Sequence, residues 1–330
     1  MALLTDRYQR SIDYLRVSIT DHCNLHCIYC MPLGGAPKLE HKEILSYEEF
    51  LRIIQVALNM GISKVRLTGG EPLVRRGVTD FCRRLAKLPG LKSLSLTTNG
   101  VLLEELASEL YDAGIRRINI SLDTLQRQKF LRITRRDEFE RVWRGIQEAE
   151  RVGFDPVKIN VVVMRGINDD EVLELARLIL NYPYHIRFIE FMKINSDDGW
   201  VDQHYVSADE ILAKLSTVAP LEQVTYQNTN GPARHFVWPD AVGMIGIISP
   251  ISHHFCPTCN RIRLTADGKL RSCLFSDQEL DIKSHMRQGA TDAGLSQILK
   301  DSIANKPEKH SIQSDLFRKC QSRPMVAIGG

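Results

Sequence analysis

Two groups of three cysteines define the chemistry open to this 330-residue sequence. Cys23, Cys27 and Cys30 lie in CNLHCIYC, and Cys256, Cys259 and Cys273 lie in CPTCNRIRLTADGKLRSC. A closed metal site takes four ligands, and each group is one short. Two chemistries answer that shortage. His22 and His26 flank the first group and His253 and His254 the second, which permits two Cys3His zinc sites in a non-enzymatic interaction protein. The compact CxxxCxxC spacing fits instead one thiolate on each of three irons of a cubane, whose fourth iron stays open to a small molecule. The remaining two of the eight cysteines, Cys82 and Cys320, are expected to be inert thiols, and clustered cysteines suit metal ligation in a reducing compartment better than a disulfide framework.

The elements that must position these thiols alternate along the chain. Val- and Ile-rich runs at 14–20, 64–68, 93–98, 117–121, 157–163 and 185–191 read as six strands. Between them lie amphipathic helical runs, one opened by the capping-box pair Ser46 and Glu49 and stopped at Gly61, the others near 78–88, 102–112, 138–152 and 169–181. Alternation of this kind predicts a parallel α/β sheet, an incomplete (βα)6 TIM-type barrel whose chemistry sits on the loops after the strands. The first cysteine run follows strand one, TGGEP closes strand two, TTNG strand three and SLD strand four, and Met192 lies just past strand six, so one rim is expected to collect them. Within 157–163 the period of two separates Val157, Ile159 and Val161 from Lys158 and Asn160, and on pattern alone Lys158 reads as a solvated edge lysine.

Beyond residue 192 the rhythm breaks. NSDDGW is loop-like, Ser207 with Glu210 starts a short helix, and GPARHFVW and VGMIGIIS read as paired strands. The expected division is a partial barrel over 1–192 and a segment over 193–330 that closes its open side. Lys and Arg number 43 against 40 Asp and Glu, a formal +3, too little to imply nucleic acid or an anionic membrane as partner. The opening MALLTDRYQR has no apolar signal core, and no run of about 18 apolar residues occurs, so a soluble cytoplasmic protein is expected.

CNLHCIYC, with Tyr29 in its aromatic position, resembles the CxxxCxxC signature of the radical S-adenosylmethionine (SAM) superfamily, and GGEP at 69–72 resembles its second motif. Alone, GGEP reads as a strand-to-helix turn with Pro72 opening the helix. DHCNLHCIYCMP, VRLTGGEPLVRR, LTTNG, FCPTCNRIRLTADGKLRSCLF and the final GG together resemble the GTP 3′,8-cyclase family of molybdenum cofactor biosynthesis across nearly the whole chain. The resemblance implies two 4Fe-4S clusters, one on Cys23, Cys27 and Cys30 with SAM on its open iron, and one on Cys256, Cys259 and Cys273 that meets the guanine of GTP. It implies that Tyr29, Gly70, Ser121 and Met192 contact SAM. Thr97 and the stretch Arg261, Ile262 and Arg263 match GTP-contact positions, and Arg16, Arg66 and Lys158 are expected to complete the triphosphate cradle. Gly329 and Gly330 match a double glycine that reaches into the active site. As partners it implies a low-potential electron donor such as flavodoxin or ferredoxin and, downstream, cyclic pyranopterin monophosphate synthase, with a monomer or homodimer as the working unit. A different radical SAM enzyme with an auxiliary cluster, such as a peptide modifier, is the alternative.

Overall fold

The computed structural model describes residues 4–32, 34–36, 38–192, 203–225, 231–310 and 323–329. Six strands carry the repeat: β1 (Tyr14–Ser18), β2 (Lys64–Thr68), β3 (Ser93–Thr98), β4 (Arg117–Ser121), β5 (Val157–Val163) and β6 (His185–Glu190). Each pairs in parallel with the next in sequence order. The connecting helices are α1 (Tyr47–Asn59), α2 (Val78–Ala86), α3 (Leu103–Asp112), α4 (Arg127–Thr134), α5 (Phe139–Val152) and α6 (Val172–Asn181). Helix α1 begins where expected, because the Ser46 side chain accepts from the Glu49 backbone N–H and the Glu49 carboxylate accepts from the Ser46 backbone N–H. It ends before Gly61, whose φ of +115° favours glycine. Two details differ from the sequence pattern. The run from 169 opens as a 3-10 turn over Asp169–Glu171 before α6, and α4 occupies a stretch to which the sequence pattern assigns no element. Its sequence, RQKFLRIT, buries only Phe130, Ile133 and Thr134, too few apolar positions to show a helical period.

The C-terminal segment contributes α7 (Ala208–Leu215), β7 (Glu222–Val224), β8 (Arg234–Val237), β9 (Met244–Ile248), β10 (Arg261–Leu264), β11 (Lys269–Arg271), β12 (Leu280–Asp281), α8 (Ile282–Arg287), α9 (Asp292–Ala304) and α10 (Met325–Ile328). Strands β8 and β9 are antiparallel neighbours, as the sequence suggests, while NSDDGW lies outside the described residues. The segment expected on the open side of the sheet adds strands at both of its edges. Strand β10 adds in parallel to β1 and β9 in parallel to β6, so the segment extends both edges of the six-stranded sheet. Among the described residues the ladder runs β12-β11-β10-β1-β2-β3-β4-β5-β6-β9-β8-β7 and stays open at its ends.

Strand parity decides what faces where. Leu15, Val17, Val65, Leu67, Leu96, Ile118, Ile120, Ile159, Ile186, Phe188, Ile262 and Leu264 are buried in the helix-facing core. Each such side chain contributes about 1.5–3 kcal/mol when fully removed from water. The alternate positions face the other way and are polar: Arg16, Arg66, Ser95, Thr97, Asn119, Lys158, Asn160 and Arg187 line an internal cavity. A barrel interior of this kind is ordinarily filled by branched apolar side chains. Here it is a polar-lined space of about 390 Å³, within the range of small-molecule sites.

Candidate active site

Both cysteine triads line that one cavity. The first occupies the loop after β1. Its turn is closed by Cys30 N–H and Met31 N–H donating to the Cys27 carbonyl, both at 3.0 Å. Its outer edge is held by the end of α4, where His26 N–H donates to Thr134 O and Ile28 N–H to Ile133 O, each at 2.9 Å. Burial pushes the Cys23 thiol up to about 11 and Cys30 up to about 12, and it drives Cys27 well above the ordinary thiol value, with Cys30 adding to it. Three such thiols become thiolates only beside concentrated positive charge, as an iron cluster provides. The donor set therefore fits the cube.

The two glycines of GGEP let β2 approach this loop closely. A Cβ on Gly69 would stand 2.7 Å from the Thr20 carbonyl oxygen, and one on Gly70 would stand 2.4 Å from that of His22. Gly70 N–H donates to Thr20 O and Glu71 N–H to His22 O, both at 2.7 Å. The buried Glu71 carboxylate accepts from Leu73 N–H, the Thr98 hydroxyl and Asn99 N–H, tying the loops after β2 and β3 together. Pro72 does open a turn, a 3-10 one. Gly70, Tyr29, Ser121 and Met192 all line the cavity with the first triad. The Tyr29 hydroxyl donates to Asp123 Oδ2 at 2.7 Å while Asp123 Oδ1 accepts from Val162 N–H at 2.8 Å. Asp123, which the sequence reading passed over, is pushed up to about 6 by burial against these bonds.

The second triad sits at the other end. Cys256 and Cys259 frame a 3-10 turn just before β10, and Cys273 follows β11. Since β10 is parallel to β1 with Arg261 opposite Tyr14, this triad lies by the start of β1 and the first triad lies past its end. A five-residue strand such as β1 separates the two levels by about 15 Å. The single rim expected for the first triad, the loops after β2 to β4 and Met192 is consistent with their shared lining of the cavity, and the second triad occupies the opposite rim. Burial works to raise the Cys259 thiol, but Arg261 and Lys306 outweigh it and hold it at about 7.

Among the described residues no three His, Cys, Asp or Glu side chains converge on one ion as a zinc site requires, whereas a cube spreads its three thiolates over three irons. Of the histidines offered as fourth ligands, His253 is engaged with Asp209 at 2.9 Å, and only His254 lines the cavity.

Between the triads stands a tier of cations. Arg16, Arg66, Lys158, Arg261 and Arg263 line the cavity as the sequence expects, and so does Thr97. Arg66 donates to the Tyr14 hydroxyl at 2.5 Å and to Thr97 Oγ1 at 3.2 Å. Lys158 corrects the pattern-only reading: it is 6% exposed, and burial with Arg187, Arg66 and Arg117 holds it down to about 7. Burial, then Arg263 and Arg66, drives Arg16 well below its ordinary value, and burial with Arg261 brings Arg263 to about 10. Ile262 departs from expectation, since its side chain is fully buried in the apolar layer and does not line the cavity. Arg117, Arg187, Lys64 and Lys306 also line the cavity and were not anticipated. For the first two the signal was the parity of β4 and β6.

The tail enters the same space. Arg323 is paired bidentately with Asp267 at 2.9 and 2.8 Å, Met325 lines the cavity, and Arg263 donates to the Gly329 carbonyl at 2.6 Å. Gly329 has φ +75°, and a Cβ there would stand 2.9 Å from Ser18 Cβ. Gly330 and Cys320 lie outside the described residues, and Cys82 is a buried thiol in α2, as expected.

Residues 17–179 match the Radical SAM superfamily and residues 184–312 match Molybdenum Cofactor Synthesis C. Among solved structures, SuiB of Streptococcus suis shares the fold, with a TM-score of 0.62 at 17% identity over 95% of this chain and 70% of that one. Full-length relatives are more specific. A GTP 3′,8-cyclase of Moorella thermoacetica is 49% identical over 99% of this chain and 100% of its own length. One of Heliobacterium modesticaldum is 47% identical with the same coverage. With that identity along its entire length, both triads and a cationic nucleotide-sized cavity, the chain belongs to the GTP 3′,8-cyclase family of radical SAM enzymes.

Proposed function

We propose that this chain converts GTP to (8S)-3′,8-cyclo-7,8-dihydroguanosine 5′-triphosphate, the first step of molybdenum cofactor biosynthesis, in the cavity shared by the two triads. The observation that carries the reading is that two incomplete sets of cysteine thiols and a tier of cations face one cavity. Cys23, Cys27 and Cys30 would hold one 4Fe-4S cluster and Cys256, Cys259 and Cys273 the other, each set leaving one iron open. When bound, the first cluster with SAM supplies the 5′-deoxyadenosyl radical that takes the 3′ hydrogen of GTP.

The chain's own residues place and protect the reactants. Tyr29, Gly70, Ser121 and Met192 surround the first triad and would seat SAM, with Tyr29 fixed by Asp123. Arg16, Arg66, Lys158, Arg261 and Arg263, with Thr97, would bind the triphosphate between the rims, where guanidinium groups match phosphate oxygens in pairs. Ile262 would contribute through its backbone. Gly329 and Gly330 would bring a backbone without side chains against the reacting sugar, excluding water. The partial barrel over 1–192 would carry the radical chemistry and the segment over 193–330 the second cluster. A small low-potential protein such as flavodoxin or ferredoxin would supply the electron, and cyclic pyranopterin monophosphate synthase would take the product in the cytoplasm.

The test is anaerobic reconstitution followed by iron and acid-labile sulfide analysis, then incubation with GTP, SAM and a reductant. Two cubes, about eight irons per chain, with cyclised product by mass spectrometry, are expected. Zinc without sulfide, or SAM cleavage with GTP left intact, would refute it.

A further inference from the structure

The second triad is built from two arms of the chain, the turn that carries Cys256 and Cys259 and the end of β11 that carries Cys273, and two buried cations join them. Lys306, just beyond α9, is 4% exposed. Its ammonium group donates to the Arg261 carbonyl at 2.8 Å and to the Ser272 carbonyl at 2.6 Å. Arg261 is two residues past Cys259, and Ser272 immediately precedes Cys273, so one ammonium spans two arms. Lys306 lines the cavity with Cys259 and Cys273, and its charge helps Arg261 hold the Cys259 thiol down. Arg10, 7% exposed, is held by Asp6 at 2.5 Å. It donates through Nη1 to the carbonyls of Cys256 at 2.9 Å and Glu308 at 2.8 Å, and through Nη2 to that of Pro307 at 2.6 Å. The turn that carries Cys256 and Cys259 is thereby fastened to the segment that carries Lys306. Charge-assisted bonds of this kind are roughly twice as strong as neutral ones, and removing either cation strands buried carbonyls.

We propose that Lys306 and Arg10 are positioning residues that splint the two arms of the second triad, and that Lys306, bonded to the carbonyls next to both arms' cysteines, also sets the reduction potential of the cluster held there. The proposal rests on the reading in which Cys256, Cys259 and Cys273 hold an iron-sulfur cube. Hydrogen bonds and positive charge at cluster sulfurs favour the reduced form, so loss of the ammonium moves the potential downward. Neither residue is within either cysteine motif, and both act through main-chain carbonyls.

Lys306→Met, Lys306→Arg and Arg10→Gln are made in the full chain and reconstituted anaerobically beside the unaltered protein. Iron and sulfide content, electron paramagnetic resonance of the reduced protein, a redox titration and SAM cleavage are measured. Lys306→Met is expected to lose about half its iron, or to keep it with the second cluster's potential lowered, while SAM cleavage stays within about threefold. Arg10→Gln should lose iron selectively from the second triad, and Lys306→Arg should recover most of the loss. Wild-type iron content with unchanged potential and line shape in both Lys306→Met and Arg10→Gln would overturn the proposal. So would simultaneous loss of both clusters with a lowered melting temperature, which would assign these residues to general stability. If the unaltered protein itself takes up only one cube, the reading of the second triad fails instead, and the splint with it.

Discussion

Lys158 offers a quantitative check on the triphosphate cradle, because its ionisation falls inside the accessible pH range. Its ordinary value of 10.5 is brought down to about 7, first by burial and then by Arg187, Arg66 and Arg117, against a smaller upward pull from Asp155. The neighbouring His185 and His235 are held at about 3 and about 4, so both are neutral across the window. Before ligand arrives, the unfolded chain binds the Lys158 proton up to about pH 10.5 and the folded chain releases it above about 7, so stability from this group rises between those values. A bound triphosphate reverses the preference, and binding takes up a proton. With a value near 7, about half the unliganded lysines are charged at pH 7 and roughly one in eleven at pH 8, so the apparent dissociation constant for GTP rises about fivefold over that unit. Tyr14, lowered to about 8 because Arg66 and Arg16 outweigh its burial, adds to the decline at the upper end. Equilibrium GTP binding to the cluster-loaded protein between pH 7 and 8 measures the slope. Lys158→Arg stays charged throughout and should lose only the Tyr14 part, giving a visibly flatter profile. Parallel slopes for wild type and Lys158→Arg would remove Lys158 from the cradle.

Gly329→Ala places an L residue at φ +75° with its Cβ 2.9 Å from Ser18. The left-handed conformation alone costs about 1–2 kcal/mol, so cyclised product should fall about 5- to 30-fold while SAM cleavage continues; unchanged product formation would show the tail is not required in this position. Gly70→Ala pushes a Cβ to within 2.4 Å of the His22 carbonyl and must displace the first cysteine loop, so iron content and SAM cleavage should both drop, whereas Gly34→Ala, with open space around it, should match wild type. Arg263→Ala removes a buried guanidinium that lines the cavity and holds Gly329; loss of one phosphate contact of about 1.5–3 kcal/mol predicts roughly 10- to 150-fold weaker GTP binding by titration. Ser46→Ala breaks the capping box of α1 far from the cavity, and about 1 kcal/mol of lost stability should lower the melting temperature by about 2 °C without changing turnover.

The strands and the first site were legible because their signals are local. Alternation of apolar residues marks all six strands of the repeat within about two residues, and the capping box fixes the start of α1. Three cysteines within eight residues announce a cluster without any knowledge of tertiary structure. What the sequence could not convey depends on pairings far apart in the chain. That the second triad faces the first from the opposite rim follows only from β10 lying parallel to β1, some 240 residues away in sequence. Lys158 was misread on pattern alone because period two tells which residues share a face, not whether that face meets water or a cavity. Arg187, between buried Ile186 and Phe188, was missed because the same period two gave no sign that its face of the strand meets a cavity. Lys306 and Arg10 carry no local signature, since their partners are carbonyls supplied by distant arms.

Those misreadings share one physical cause, and it bears on how the site works. An ordinary strand interior would be closed by apolar side chains, and this one is kept open by charges that repel one another across the cavity. Arg16 is pressed by Arg263 and Arg66, Lys158 by Arg187, Arg66 and Arg117, and Arg263 by Arg261. The arrangement is tolerated because the opposite face of the same strands is uniformly apolar and buried, so the backbone is fixed whatever the inner side chains do. Held rigidly and desolvated, the cations cannot relax by swinging into water, and their repulsion falls when a polyanion enters between them. In the proposed reading, binding energy from a triphosphate held by these cations would be available to orient the rest of the nucleotide between two rims that each hold three thiols.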